Sequence, residues 1–131
     1  MAYRVLIAED DLYLRTLFTK AFKSSHFEVV TAADGDETLY HLNKQLPHML
    51  ILDIGLPGQS GLDILKYVRR HEKLIQQQGA PFKVNIILVT GNEAAKHSPE
   101  TVLADTFLLK PVSIRELLAL AEKVRAKTTV G

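Results

Sequence analysis

Cysteine is absent from the 131 residues, so there is no disulfide framework, no thiolate metal site and no cysteine nucleophile, and several large enzyme classes drop out. An excess of one charge is missing too. Sixteen Lys and Arg against fifteen Asp and Glu leave a formal net charge of +1, mixed along the chain, which provides no electrostatic footprint for nucleic acid. No apolar run approaches the length that spans a bilayer, and Met1-Ala2-Tyr3-Arg4 enters a strand-like run without room for a secretory signal. A cytoplasmic location with no membrane contact is expected. No internal repeat or interdomain linker is visible, and a chain of 131 residues fits one domain with a continuous core.

What is present is organised around Met49-Leu50-Ile51-Leu52-Asp53 and the Ile54-Gly55-Leu56-Pro57-Gly58 that follows. Four uninterrupted apolar residues read as a central parallel strand buried on both faces. Asp53 ends that run at the entrance to a Gly/Pro loop, a poor position for stability and a good one for chemistry.

Other segments repeat the scheme. Val5-Leu6-Ile7-Ala8 is a short apolar run ending in Glu9, Asp10 and Asp11, and from Leu12 the spacing becomes helical, with Asp11 placed to cap. Glu28–Ala32 reads as a strand, and Asp34 followed by Glu37 opens a helix through about Lys44. Ser60 can cap a third helix carrying Leu62, Leu65 and Val68. Beyond Arg69 lies a long polar stretch, read as an extra helical turn and then a surface loop before the strand Asn85–Thr90. Ser98-Pro99-Glu100 suggests a cap and a short helix ending before Ala104. Thr106–Leu109 is the last strand, and Ser113 with Glu116 forms a capping-box pattern for a final amphipathic helix.

Five short strands alternating with five helical segments make a doubly wound α/β domain with helices on both faces of a parallel sheet. Ligands in such folds bind outside the carboxyl ends of the strands. Here those ends deliver Glu9, Asp10, Asp53, Thr90 and Lys110. Carboxylates converging on one cleft repel one another unless a cation sits between them. All the candidate ligands are oxygens, which favours Mg²⁺ or Mn²⁺ over zinc. A carboxylate can also attack phosphorus to give an acyl phosphate, and phosphoryl transfer needs little beyond positioning and charge neutralisation.

Val5–Asp11, Leu52–Gly58 with Gly61, Val89-Thr90-Gly91 and Leu109-Lys110-Pro111 together resemble the receiver domain of two-component response regulators, over about residues 3 to 126. The resemblance implies a five-stranded parallel sheet in the flavodoxin-like order 2-1-3-4-5. It implies that Asp53 accepts a phosphoryl group from a histidine kinase or histidine phosphotransfer protein. Asp10, Asp53 and the Gly55 carbonyl would ligate Mg²⁺, with Glu9 acting directly or through water. Lys110 would pair with Asp53 and then with the phosphoryl group, ahead of a cis bond to Pro111. Thr90 and Phe107 would be the switch pair, altering the surface of the fourth helix, fifth strand and fifth helix that a downstream protein reads. Autocatalytic phosphorylation and dephosphorylation would be its only reactions, with no external product. Departures from the family's common form are a longer segment before the fourth strand, a shorter Asn92 to Leu103 containing Pro99, and Gly55, which puts no side chain beside Asp53.

Each residue has a plainer reading. Asp10 or Asp11 alone would be a helix cap, Asp53 a loop entry, Thr90 a strand end, Lys110 a solvated cation and Phe107 core. Their coincidence at one sheet edge favours the functional reading. His26, His41, His48, His71 and His97 lack ligand spacing and read as surface residues, and Glu72 and Lys73 as solvation. A phosphatase acting through an aspartyl-phosphate would need a second acid and a cap domain, and neither is visible. A phosphate-independent interaction module would lack an acidic or lysine residue, and none is missing. The receiver is expected to occupy 1–127, with 128–131 a tail or the start of a linker, as either a stand-alone receiver or an N-terminal fragment.

Overall fold

The computed structural model describes residues 2–130, the last three by backbone alone. Five parallel strands form one sheet in the order β2-β1-β3-β4-β5: β1 (Arg4–Ala8), β2 (Glu28–Ala32), β3 (Met49–Asp53), β4 (Asn85–Thr90) and β5 (Thr106–Leu109). Between and after them run α1 (Leu12–Ser24), α2 (Gly35–Lys44), α3 (Gly61–Gln77), α4 (Pro99–Leu103) and α5 (Ile114–Val130). Among the described residues no helix is long and apolar enough to cross a membrane.

Every residue of β3 is buried, as a central strand covered on both faces requires. Because side chains alternate along a strand, the sheet divides its apolar residues between two cores. Leu50, Leu52, Ile86 and Leu88 face Leu42 of α2 and Ile64, Leu65 and Val68 of α3. Met49, Ile51, Ile87 and Val89 face Phe18 and Phe22 of α1 and Leu117 and Ala121 of α5.

Helix starts follow local chemistry. Asp11 accepts from Leu14 N at 3.0 Å, Asp34 from Glu37 N at 2.8 Å, Ser60 from Asp63 N at 3.1 Å and Ser113 from Glu116 N at 3.3 Å. The loop after β3 is pinned to the start of α2, where Gly35 N donates to Pro57 O at 2.8 Å. A Cβ on Gly35 would lie 2.5 Å from Gln59 N, so only glycine fits, and Gly58 turns the same loop at φ +92°.

The structure corrects two expectations. Glu72 is not a solvated surface acid: it is buried and accepts from Val84 N at 2.7 Å and Arg69 Nη1 at 2.9 Å. It falls on the buried stripe of α3 with Ile64, Leu65 and Val68, and α3 covers most of the polar stretch through Gln77. His48 is not a free surface imidazole either. Its ring stacks on Tyr3 at 4.8 Å, and its Nδ1 accepts from Arg4 N at 2.9 Å. Burial and the nearby Arg4 charge hold its pKa below the usual histidine value.

Between β4 and β5 the chain forms a 3₁₀ helix, Glu93–His97, and then α4. Ser98 and Pro99 start α4 where expected, but the Ser98 hydroxyl makes no cap bond and is buried without a partner. The backbone of α5 continues through Thr128 and Thr129 to Val130, within the expected tail, and Gly131 lies outside the described residues.

Candidate functional site

The strand order reverses between β1 and β3, and their register pairs Ala8 with Leu52. The next residue of each strand is therefore Glu9 beside Asp53, brought together at the carboxyl edge by backbone pairing alone. This is the position where open α/β sheets bind ligands.

Lys110 enters the same space from the end of β5. Its Nζ lies 2.9 Å from Asp53 Oδ2 and 3.0 Å from Glu9 Oε1, bridging the two acids. Asp53 Oδ1 accepts from Gly55 N at 2.9 Å, and Glu9 Oε2 from Asp11 N at 3.0 Å. Asp53 and Glu9 are buried, whereas Asp10 is exposed. Burial and then the Asp53 charge push the Glu9 carboxyl upward, against the pull of Asp11 N–H and Lys110. Burial acts to lower the Lys110 pKa, yet its bonds to Asp53 and Glu9 win and hold it above the usual lysine value.

Each of Glu9, Asp10 and Asp53 offers an oxygen, and all these atoms lie within 4.8 Å of one another. Three acids facing one ammonium leave negative charge over, and an all-oxygen set of this size suits a hard divalent ion. The residues present therefore fit such an ion. Chemically, a carboxylate with a neighbouring cation and a backbone N–H, opening on a loop, can act as a nucleophile toward a phosphoryl centre.

Comparison with known proteins gives the same answer. The family model of the response regulator receiver domain matches residues 5–122. The chain belongs to this family. This receiver is 32% identical over 117 residues to the two-component response regulator PhoP of Pseudomonas aeruginosa, a match covering 88% of this chain and 48% of that protein. It is 29% identical over 119 residues to the phosphate regulon transcriptional regulatory protein PhoB of Escherichia coli, covering 91% of this chain and 50% of the relative. The chain thus spans about half the length of these curated relatives. Among solved structures, response regulator TrrA of Thermotoga maritima in complex with Mg²⁺-BeF superposes with a TM-score of 0.78 at 27% identity, covering 95% of this chain and 99% of that one. The chemotaxis response regulator CheY4 of Vibrio cholerae gives a TM-score of 0.76 at 26% identity, again over 95% and 99%.

Within this receiver Glu9, Asp53 and Lys110 are in direct contact, and Asp10 stands at the rim. Thr90 is buried at the end of β4, and its hydroxyl accepts from Asn92 N at 3.2 Å. Its carbonyl accepts from Lys110 N at 2.7 Å, which ties the ends of β4 and β5 together. Phe107 is not in the cluster. It lies half-buried on β5 opposite Leu88 and packs on the core beneath α3. Gly55 is held by its N–H bond to Asp53, and the Lys110–Pro111 peptide is cis.

One contributor escaped the sequence reading. Arg15 Nη1 donates to the carbonyls of Glu9 at 2.8 Å and Asp10 at 3.4 Å, fixing the backbone from which both acids project. A lone Arg in the first turn of a helix that follows an acidic run was the available signal.

Proposed function

We propose that Asp53 is the phosphoacceptor of this receiver, taking a phosphoryl group from a histidine kinase or histidine phosphotransfer protein, with catalysis supplied by the receiver's own residues. The observation that carries this reading is Lys110 Nζ bridging Asp53 at 2.9 Å and Glu9 at 3.0 Å while a third carboxylate, Asp10, stands close by.

An Asp53 oxygen attacks phosphorus, the bond from phosphorus to the donor nitrogen breaks, and that nitrogen leaves with the electron pair and takes a proton. Lys110 follows the charge from Asp53 to a phosphoryl oxygen. The Thr90 hydroxyl and the Gly55 N–H are donors for oxygens that become more negative in the transition state. Asp10, Asp53 and the Gly55 carbonyl, with Glu9 directly or through water, would hold Mg²⁺ or Mn²⁺, which when bound neutralises phosphoryl charge. The Mg²⁺-BeF complex of the Thermotoga maritima relative supports this assignment. The receiver is no enzyme in the sense of releasing an external product: its reactions are its own phosphorylation and the hydrolysis that ends it.

Thr90 and Phe107 act as the switch pair. Once Asp53 is modified, the Thr90 hydroxyl moves toward the phosphoryl group and the Phe107 ring turns in behind it, shifting the population of α4–β5–α5 surfaces that a downstream protein distinguishes. This unit corresponds to residues 1–127, acts in the cytoplasm and binds neither nucleic acid nor membrane itself.

The test is incubation with Mg²⁺ and a small-molecule phosphodonor, followed by intact mass, with Asp53→Asn and an EDTA sample alongside. We expect a Mg²⁺-dependent gain of one phosphoryl group that Asp53→Asn abolishes. Undiminished labelling of the variant would remove Asp53 from the role. No gain in the folded parent would favour phosphate-independent recognition.

A further inference from the structure

The fourth helix has one apolar anchor of its own, Leu103, which packs partly buried against the core beneath α3. The helix is five residues long with no fully buried side chain and no side-chain cap bond, whereas isolated helices need roughly 12–15 residues to be stable in water. Thr101 Oγ1 donates back to Ser98 O at 2.7 Å, a bond internal to the segment. Its far end is gripped from outside. Arg69 Nε, from α3, donates to the carbonyl of Leu103 at 3.0 Å, one of the carbonyls that a helix C-terminus leaves unsatisfied.

The same guanidinium has three further acceptors. Nη1 donates to Val84 O at 2.8 Å and Glu72 Oε2 at 2.9 Å, and Nη2 to Asp105 Oδ2 at 2.9 Å. The two acids are fixed in turn: Glu72 accepts from Val84 N at 2.7 Å, and Asp105 from Ile86 N at 2.8 Å and Lys83 Nζ at 3.1 Å. One planar fork thus joins the end of α4 to α3, to the entry of β4 and to the residue before β5.

We propose that Arg69 is the latch of the α4 segment: the 3₁₀ helix and α4 stay docked because this fork holds Leu103, and losing it frees the segment while the sheet stays folded. Two features support a latch over a general stabiliser. The anchor on the α3 side is rigid, built from backbone bonds and two fixed carboxylates. The held side has no fully buried residue and places only Leu103 partly against the core beneath α3, so its opening exposes little apolar surface and stays local. The fork's geometry is what counts, because a lysine ammonium cannot reach a carbonyl and two carboxylates in one plane.

Amide hydrogen exchange on the unmodified protein tests this independently of any phosphoryl chemistry. In Arg69→Met, protection of the Val102 and Leu103 amides falls at least tenfold more than that of the β1 and β3 amides. Arg69→Lys shows the same selective loss. Glu72→Gln keeps Arg69 on Leu103, so it lowers protection without singling out α4. Equal loss in α4 and the core strands, full rescue by lysine, or selective α4 loss in Glu72→Gln would each overturn the latch. Should Arg69→Met not fold, the lysine and glutamine variants decide alone.

Discussion

Two ion clusters sit at opposite ends of this sheet and are built to opposite rules. At the amino-terminal end of β4, two cations, Arg69 and Lys83, meet two acids, Glu72 and Asp105, and the acids also accept backbone N–H bonds. Charge and hydrogen bonding are both satisfied there. At the carboxyl end, three acids share Lys110, which contacts two of them. The first cluster closes on itself, and the second is left short of positive charge. A partly buried cluster with surplus charge is stable only as far as the surrounding fold enforces it, and its chemistry suits a cation.

Their titration differs in sign accordingly. Burial opposes ionisation of Asp105, but bonds from Ile86 N–H, Lys83 and Arg69 win and lower its pKa. For Glu9, burial and the Asp53 charge prevail and raise it. A lowered carboxyl pKa contributes stability above its unfolded value of about 3.9 and loses it as pH falls through the folded value. A raised one does the reverse: the fold gains as the pH drops into the window just above the unfolded value.

The comparison breaks most visibly at Arg69. Arg69→Met takes from Glu72 and Asp105 the cation they share and from Leu103 its donor, and the largest expected effect is the local release of α4, read as a loss of amide protection there well beyond that of β1 and β3. The open cluster responds to what is added. Mg²⁺ at a hundredfold above its dissociation constant should raise stability by about 2.7 kcal/mol. Asp10→Asn should remove that gain while leaving the Mg²⁺-free protein at least as stable as the parent. Smallest is the pH effect of Asp105: between about pH 5 and 3 the parent should lose more stability than Asp105→Asn, and equal slopes would mean that the closed cluster carries no such linkage.

What was legible in the sequence was whatever is set locally or by period. The caps at Asp11, Asp34, Ser60 and Ser113 lie a few residues from the amides they satisfy. The buried strands announced themselves as apolar runs, and Glu9, Asp53 and Lys110 follow such runs directly, so finding the strands brought these three side chains to one sheet edge. Arg69 and Asp105 are 36 residues apart, and nothing near either names the other. Glu72 looked like an ordinary helix-surface charge and Arg15 carried no reading, because their partners include main-chain groups of other segments. His48 misled because stacking on Tyr3, 45 positions earlier, leaves no local trace. Asn92 to Leu103 resisted because it has no apolar period, and in the structure none of the residues of its two short helices is fully buried.

The sheet that divides the apolar residues into two cores also acts as a wall between two neighbours. Val68 and Leu65 lie on one side of it, Phe18 and Leu117 on the other, and among the described residues no apolar side chain belongs to both cores. Substitutions on opposite sides should therefore add, because distant sites without shared partners do so to within about 0.5 kcal/mol. Over evolutionary time each half can drift in sequence without permission from the other. At the rim, where Glu9, Asp53 and Lys110 stand together, a change must be acceptable to both.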